Sequence, residues 1–157
     1  MSFAGHSLTP AAAEAIAGRA AGVTLYRHLN VDTPGQVRAL TDQLQAAARR
    51  LGLPPLLIGA DHETGQLHAM ADGATPFAGA MALGATGDPD LAERVAAAIG
   101  TELRAMGVNL CYAPVCDLAT NPRNPVVGIR SFGDDPAAVG ALAAAMVRGL
   151  QSAGVAA

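Results

Sequence analysis

Residues 112–136, Tyr-Ala-Pro-Val-Cys-Asp-Leu-Ala-Thr-Asn-Pro-Arg-Asn-Pro-Val-Val-Gly-Ile-Arg-Ser-Phe-Gly-Asp-Asp-Pro, decide how this chain is read. Val108–Ala113 is apolar enough for a buried strand. Asp134 or Asp135 ahead of Pro136 has the form of a helix start, a side-chain acceptor followed by a residue with φ already fixed. Between them runs a long polar loop holding Asp117, Asn121, Arg123, Asn124 and Arg130. Strand, polar loop and helix together form one β/α unit, with a candidate site in the loop.

The same unit recurs toward the N-terminus. Thr9-Pro10 opens a short Ala-rich helix to about Arg19, and Gly22–Tyr26 reads as a strand. Thr33-Pro34 starts a helix with Val37, Leu40, Leu44 and Leu51 on one face, ending at Gly52. Leu56–Ala60 is a continuous apolar run of the kind buried on both faces of a parallel sheet. Asp88-Pro89 opens a helix with Leu91, Val95, Ile99, Leu103 and Met106 as its inner stripe and Gly107 as its cap. The helix from Pro136 to Ser152 completes a third unit. Gly154 then reads as a cap, and Val155–Ala157 as the opening of a fourth strand. About three parallel β/α units are therefore expected, with no linker or low-complexity tract between them. A β/α barrel needs roughly 250 residues to close. The 157 residues present, read as one domain, 1–157, cannot close one, and the pattern stops mid-unit.

Composition narrows the function. Hydrophobic residues make up 51% and aromatics 3%, so the core must be built from Ala, Val, Leu and Ile. The net charge is −3, and the ten basic residues, all Arg, are scattered rather than gathered into a stripe. Nucleic acid and membrane are poor partners on that pattern. No apolar run approaches the ~20 residues that span a bilayer. The N-terminus lacks the basic and apolar regions of a signal peptide, so a cytoplasmic location is expected. Cys111 and Cys116 read as reduced packing residues. His62, Glu63 and His68 lie in what looks like a Gly-rich loop, without the helical spacing that aligns zinc ligands, so no metal is expected. Gly84–Gly87 follows no strand and has no Walker lysine, so no nucleotide cofactor is expected, nor any other.

The polar groups fall where a ligand would bind. Arg27, His28 and Asn30 follow the first strand; Asp61, His62 and Glu63 follow the second; Asp117 through Arg130 follow the third. In a parallel β/α protein the carboxyl ends of the strands form the ligand-binding edge. Carboxylates and a guanidinium converging there suit a neutral polyhydroxyl ligand, because hydroxyls donate and accept. Asp117 reads more as a brace of its loop through backbone amides than as a ligand, Asp61 could cap the turn after its strand, and Glu63 could hydrogen-bond within its loop. Asn121 and Asn124 read as turn formers, and Arg130 could pair with Asp134 or Asp135 to shape the loop.

The run Asn121-Pro-Arg-Asn-Pro-Val-Val-Gly-Ile-Arg-Ser-Phe-Gly-Asp-Asp-Pro136 resembles the N-terminal barrel domain of glycoside hydrolase family 3, the family of β-glucosidases and β-N-acetylhexosaminidases. The resemblance implies a partial (β/α)8 TIM-type barrel, truncated at both ends because a first barrel strand should precede Phe3, and, for the parent activity, hydrolysis of a terminal β-linked glucose or N-acetylglucosamine with retention and without cofactor. Asp61 matches the aspartate of the family's D-x-E-G-G segment, which holds sugar hydroxyls; Glu63 matches its glutamate, and Arg130 the arginine of R-S-F-G. Asp61, Glu63, Arg130 and Asp117 are thus the candidate substrate-binding residues, and no catalytic residue is assigned. Where the family commonly reads D-x-E-G-G-x-V-x-R, Thr64 stands for a glycine and Ala69 for the arginine. The K-H-F-P-G-H-G stretch and the aspartate nucleophile would lie beyond Ala157. The 157 residues alone are therefore expected to be inactive, and a catalytically dead sugar-binding or scaffold piece needing a partner chain is the alternative. Two open sheet edges make self-association the expected partnership beyond carbohydrate.

Overall fold

The computed structural model describes residues 1–70 and 73–157. In chain order the elements are α1 (Pro10–Ala17), β1 (Gly22–Leu25), α2 (Arg27–Asn30), α3 (Pro34–Arg50), β2 (Leu57–Ala60), β3 (His62–Thr64), β4 (Leu67–His68), α4 (Ala80–Thr86), α5 (Pro89–Ala105), β5 (Leu110–Cys111), a 3-10 turn at Gly128–Arg130, and α6 (Pro136–Ser152). Four helices start by one device. The side chains of Thr9, Thr33, Asp88 and Asp135 accept a backbone N–H from Ala12, Gln36, Leu91 and Ala137, and each is followed directly by proline. The cap satisfies a first-turn donor that has no carbonyl partner, and the proline has no donor to leave unsatisfied.

β1, β2 and β5 form one parallel sheet in that order, with Gly22 opposite Leu57, Leu25 opposite Ala60, and Ala60 opposite Cys111. The sheet continues by single residues at both edges. The Met1 amine donates to Gly22 O at 3.1 Å and Met1 O accepts from Thr24 N at 2.8 Å, the pattern of a parallel neighbour. At the other edge Ala156 N donates to Asn109 O at 2.9 Å and Cys111 N donates to Ala156 O at 2.8 Å. Spatial order thus follows chain order from Met1 to Ala156. A doubly wound sheet would reverse direction at a switch point, whereas strictly sequential parallel strands are the arrangement of a curling β/α barrel.

Side chains alternate across this sheet. Val23, Leu25, Ile58, Ala60 and Cys111 are buried, and the core continues through Val37, Leu40 and Leu44 of α3, Ile99 and Leu103 of α5, and Leu142, Met146 and Leu150 of α6. The opposite face is open. Leu57 is 51% exposed, which corrects the expectation that Leu56–Ala60 is buried on both sides. Three strands do not curl far enough to cover that face, so Leu57 is left open to solvent. On the open face the Tyr112 hydroxyl lies 3.0 Å from Thr24 Oγ1, reaching from just past β5 to β1 across Gly59. Leu51 also departs from the expected stripe: α3 ends at Arg50, and Leu51, beyond it, is exposed.

Three short elements were not apparent in the sequence: α2, α4 and the β3–β4 hairpin, which replaces the loop expected between Asp61 and Ala69. Among the described residues no helix is long and apolar enough to cross a membrane.

Candidate functional site

The carboxyl end of β2 runs through Asp61 into the hairpin, so Glu63 sits on β3 between His62 and Thr64, which pair with His68 and Leu67. At the hairpin turn, Thr64 Oγ1 donates to Ala78 O at 3.1 Å and Gly65 N donates to Phe77 O at 3.1 Å. A Cβ on Gly65 would come within 2.7 Å of Gly79 Cα, so the turn can approach the 77–79 segment only as glycine. Thr64 itself has φ +69°. A β-branched residue in the left-handed region is strained, and the position explains why a glycine is the ordinary occupant of the matching motif. Asparagine tolerates this region and keeps a donor for Ala78 O. T64N is therefore expected to stabilise the chain by about 1 kcal/mol, seen as a melting point raised by ~2–4 °C in calorimetry.

Arg130 comes from the opposite side of the site, at the end of the 3-10 turn. Its Nε donates to Glu63 Oε2 at 2.8 Å and its Nη2 to Glu63 Oε1 at 2.6 Å, while Nη1 donates to Val126 O at 3.3 Å. The two side chains are 29% and 8% exposed. This pair joins residues 67 apart in sequence, and it replaces the local pairing with Asp134 or Asp135. The bond from Glu63 raises the Arg130 pKa above its ordinary value; burial opposes this, and the charges of Glu63, Asp117 and Asp61 add to the rise. The three candidate carboxylates thus all act on Arg130, and among the four residues carboxylates outnumber the guanidinium three to one.

The loop behind Arg130 is stitched at its base. Ser131 Oγ, fully buried, lies 2.6 Å from Asp117 O, and Ala119 N donates to Gly133 O at 2.8 Å. Asp117 thus contributes its carbonyl to the brace while its side chain stays exposed. Asn124 Oδ1 accepts from Val126 N and Val127 N, and Asn121 Oδ1 from Arg123 N, the side-chain turns read from the sequence. Beside the ion pair lies a cavity of about 400 Å³ whose apolar wall includes Met81, Val115, Ile129 and Phe132.

Two polar groups once placed at the mouth belong to the scaffold instead. Asn30 is fully buried; its Nδ2 donates to Phe3 O and Gly5 O and its Oδ1 accepts from Tyr26 N, tying the N-terminal segment beneath β1. His62 is 2% exposed and pairs across the hairpin with His68, the rings 4.3 Å apart. Its Nδ1 accepts from Met70 N. Burial, with the neighbouring His68, lowers the His62 pKa to about 4, so the ring is neutral at pH 7. Burial likewise pushes the Cys111 thiol up to about 12, which leaves it a packing group rather than a thiolate.

Residues 8–157 match the family described as the glycosyl hydrolase family 3 N terminal domain. The chain belongs to glycosyl hydrolase family 3. Over 155 residues this family 3 chain is 38% identical to the β-hexosaminidase A of Pseudoalteromonas piscicida, a match covering 95% of the chain and 26% of that protein. It superposes with a TM-score of 0.95, at 41% identity, on a family 3 β-N-acetylglucosaminidase from Paenibacillus sp. str. FPU-7, covering 98% of the chain and 29% of that structure. The NagZ of Neisseria gonorrhoeae in complex with N-trifluoroacetyl-D-glucosamine follows it at a TM-score of 0.89 and 30% identity, with 98% and 46% covered. The family 3 chain thus spans between about a quarter and under half of the length of these relatives.

Proposed function

We propose that this chain supplies part of the sugar-binding site of a retaining β-glycosidase acting on terminal β-linked N-acetylglucosamine or glucose. The observation that carries the reading is the Glu63–Arg130 pair with Asp61 and Asp117 acting on it, at the edge where β2 and β5 end. A sugar is neutral, and its hydroxyls can donate to Asp61 and accept from Arg130. Glycoside cleavage passes through an oxocarbenium-like state carrying positive charge, which a site richer in carboxylate than in guanidinium favours over the ground state. Glu63 is unsuited to act as nucleophile or acid, because both its oxygens are held by Arg130. Asp61 and Asp117 are left to bind and to stabilise charge, and the two carboxylates that retention requires are assigned to neither. The relatives named above, a β-hexosaminidase and a β-N-acetylglucosaminidase, support the N-acetylglucosamine half of this reading.

Titration of the ¹⁵N-labelled chain with N-acetylglucosamine and with glucose tests the site. Shifts of the amides of residues 60–64 and 128–131 are expected, reduced by D61N; no shift with either sugar would remove the proposal. The 157 residues by themselves are expected not to turn over p-nitrophenyl N-acetyl-β-glucosaminide. Turnover that survives D61A and E63A together would place the chemistry elsewhere.

A further inference from the structure

Resting on that reading of the site, we infer that Glu63 is a positioning residue: it does not touch the sugar but fixes the Arg130 guanidinium so that its remaining N–H groups meet the ligand. The donor count carries the inference. A guanidinium has five N–H groups. Glu63 takes one from Nε and one from Nη2, and Val126 O takes one from Nη1. The others, one on Nη1 and one on Nη2, have no protein acceptor among the described residues. Both lie in the guanidinium plane that Glu63 holds, so each presents its hydrogen in a set direction to a hydroxyl oxygen.

Each Glu63 oxygen keeps a second lone pair, but burial leaves it little access to a ligand. Both its oxygens are engaged at 2.8 and 2.6 Å, and its side chain is only 8% exposed. Charge-assisted bidentate bonds are about twice as strong as neutral ones, so a sugar hydroxyl does not displace Arg130 from this carboxylate. The two partners also differ in what holds them. Glu63 stands on a paired strand whose turn is fixed by Thr64 Oγ1 to Ala78 O and Gly65 N to Phe77 O. Arg130 stands on a 3-10 turn within a long loop. The hairpin therefore lends its order to a loop side chain, which otherwise would lose rotamer freedom at the expense of ligand affinity.

The alternative is that the pair only welds the loop to the sheet, in which case removing it would lower stability without selectively weakening sugar affinity. E63Q separates the two, since it keeps shape and one acceptor but cannot hold both guanidinium nitrogens. Affinity for N-acetylglucosamine, from NMR titration of the 157-residue chain, is expected to fall about tenfold in E63Q. The backbone spectrum away from residues 60–64 and 128–131 should be unchanged. The protected Arg130 Nε–H signal should be lost. R130A should bind no better than E63Q, and the E63Q/R130A double variant no worse than R130A. Wild-type affinity in E63Q, or a double variant weaker than R130A by the full E63Q factor, would overturn the inference, the latter because Glu63 would then touch the sugar itself. A wild-type chain that binds neither sugar overturns the sugar site and this inference with it, whereas wild-type binding that E63Q leaves intact overturns the inference alone.

Discussion

Replacing Gly84 by alanine is expected to cost about 3 kcal/mol, the upper end of what overpacking usually costs. Gly84 faces the backbone of Phe132 from within α4, and an added Cβ would lie 1.7 Å from Phe132 O and 2.6 Å from its carbonyl carbon. A flexible side chain could swing aside, but a backbone carbonyl can move only with its loop. Phe132 is buried, and its neighbour Ser131 is bonded to the base of the same loop, so the displacement has nowhere soft to go. At ~2–4 °C per kcal/mol for a chain of this size, the melting point should drop by about 10 °C. Sugar affinity should fall as well, since Arg130 lies two residues from the clash. A G84A variant that melts within ~2 °C of the wild type would mean that α4 is not seated against the loop as described.

Acid is expected to act through His62. Its folded-state pKa of about 4 lies below the ordinary 6.5 because the ring is buried and faces His68; the Glu102 carboxylate only partly offsets this, and the His68 pKa is lowered in the same sense by its own burial. Above pH 6.5 the ring is neutral in folded and unfolded chains alike, and stability is unaffected. As pH falls from 6.5 toward 4 the unfolded chain takes up a proton that the folded one refuses, so stability is lost progressively through that window and levels off below it. The difference in pKa corresponds to about 3 kcal/mol. Urea unfolding of wild type and H62Q at a series of pH values measures it. The wild type should show the steeper loss between pH 6.5 and 4, and parallel curves for the two proteins would rule out a buried neutral ring at position 62.

What the sequence disclosed and what it concealed follow from how local each interaction is. The starts of α1, α3, α5 and α6 were legible because a capping side chain and a proline are adjacent residues. The parallel β/α order was legible from the alternation of apolar runs with amphipathic ones. α4 was not, since it is only seven residues long, carries a glycine at position 84 and has no side-chain cap on its first turn. The hairpin was missed because β4 has only two residues and the turn puts a threonine where propensity argues against one. Asp61, Glu63 and Arg130 could be named from motif positions, but their arrangement could not. The partner of Arg130 is 67 residues away, and a local aspartate was the natural alternative. Asn30 shows the converse error: a polar residue just past a strand end reads as part of the mouth, yet its amide is spent on the carbonyls of Phe3 and Gly5, contacts that only tertiary structure creates.

Because the sheet is ordered as the chain is, from Met1 through β1, β2 and β5 to Ala156, assembly can keep pace with synthesis. Each strand emerging from a ribosome finds its partner already made, the one translated just before it, and no gap is left for a later segment to thread between two earlier strands. The loop entropy to be overcome at each step is that of one β/α unit, which grows only slowly with its length. Folding of the nascent chain can therefore proceed in one direction, the growing edge always being the last strand laid down.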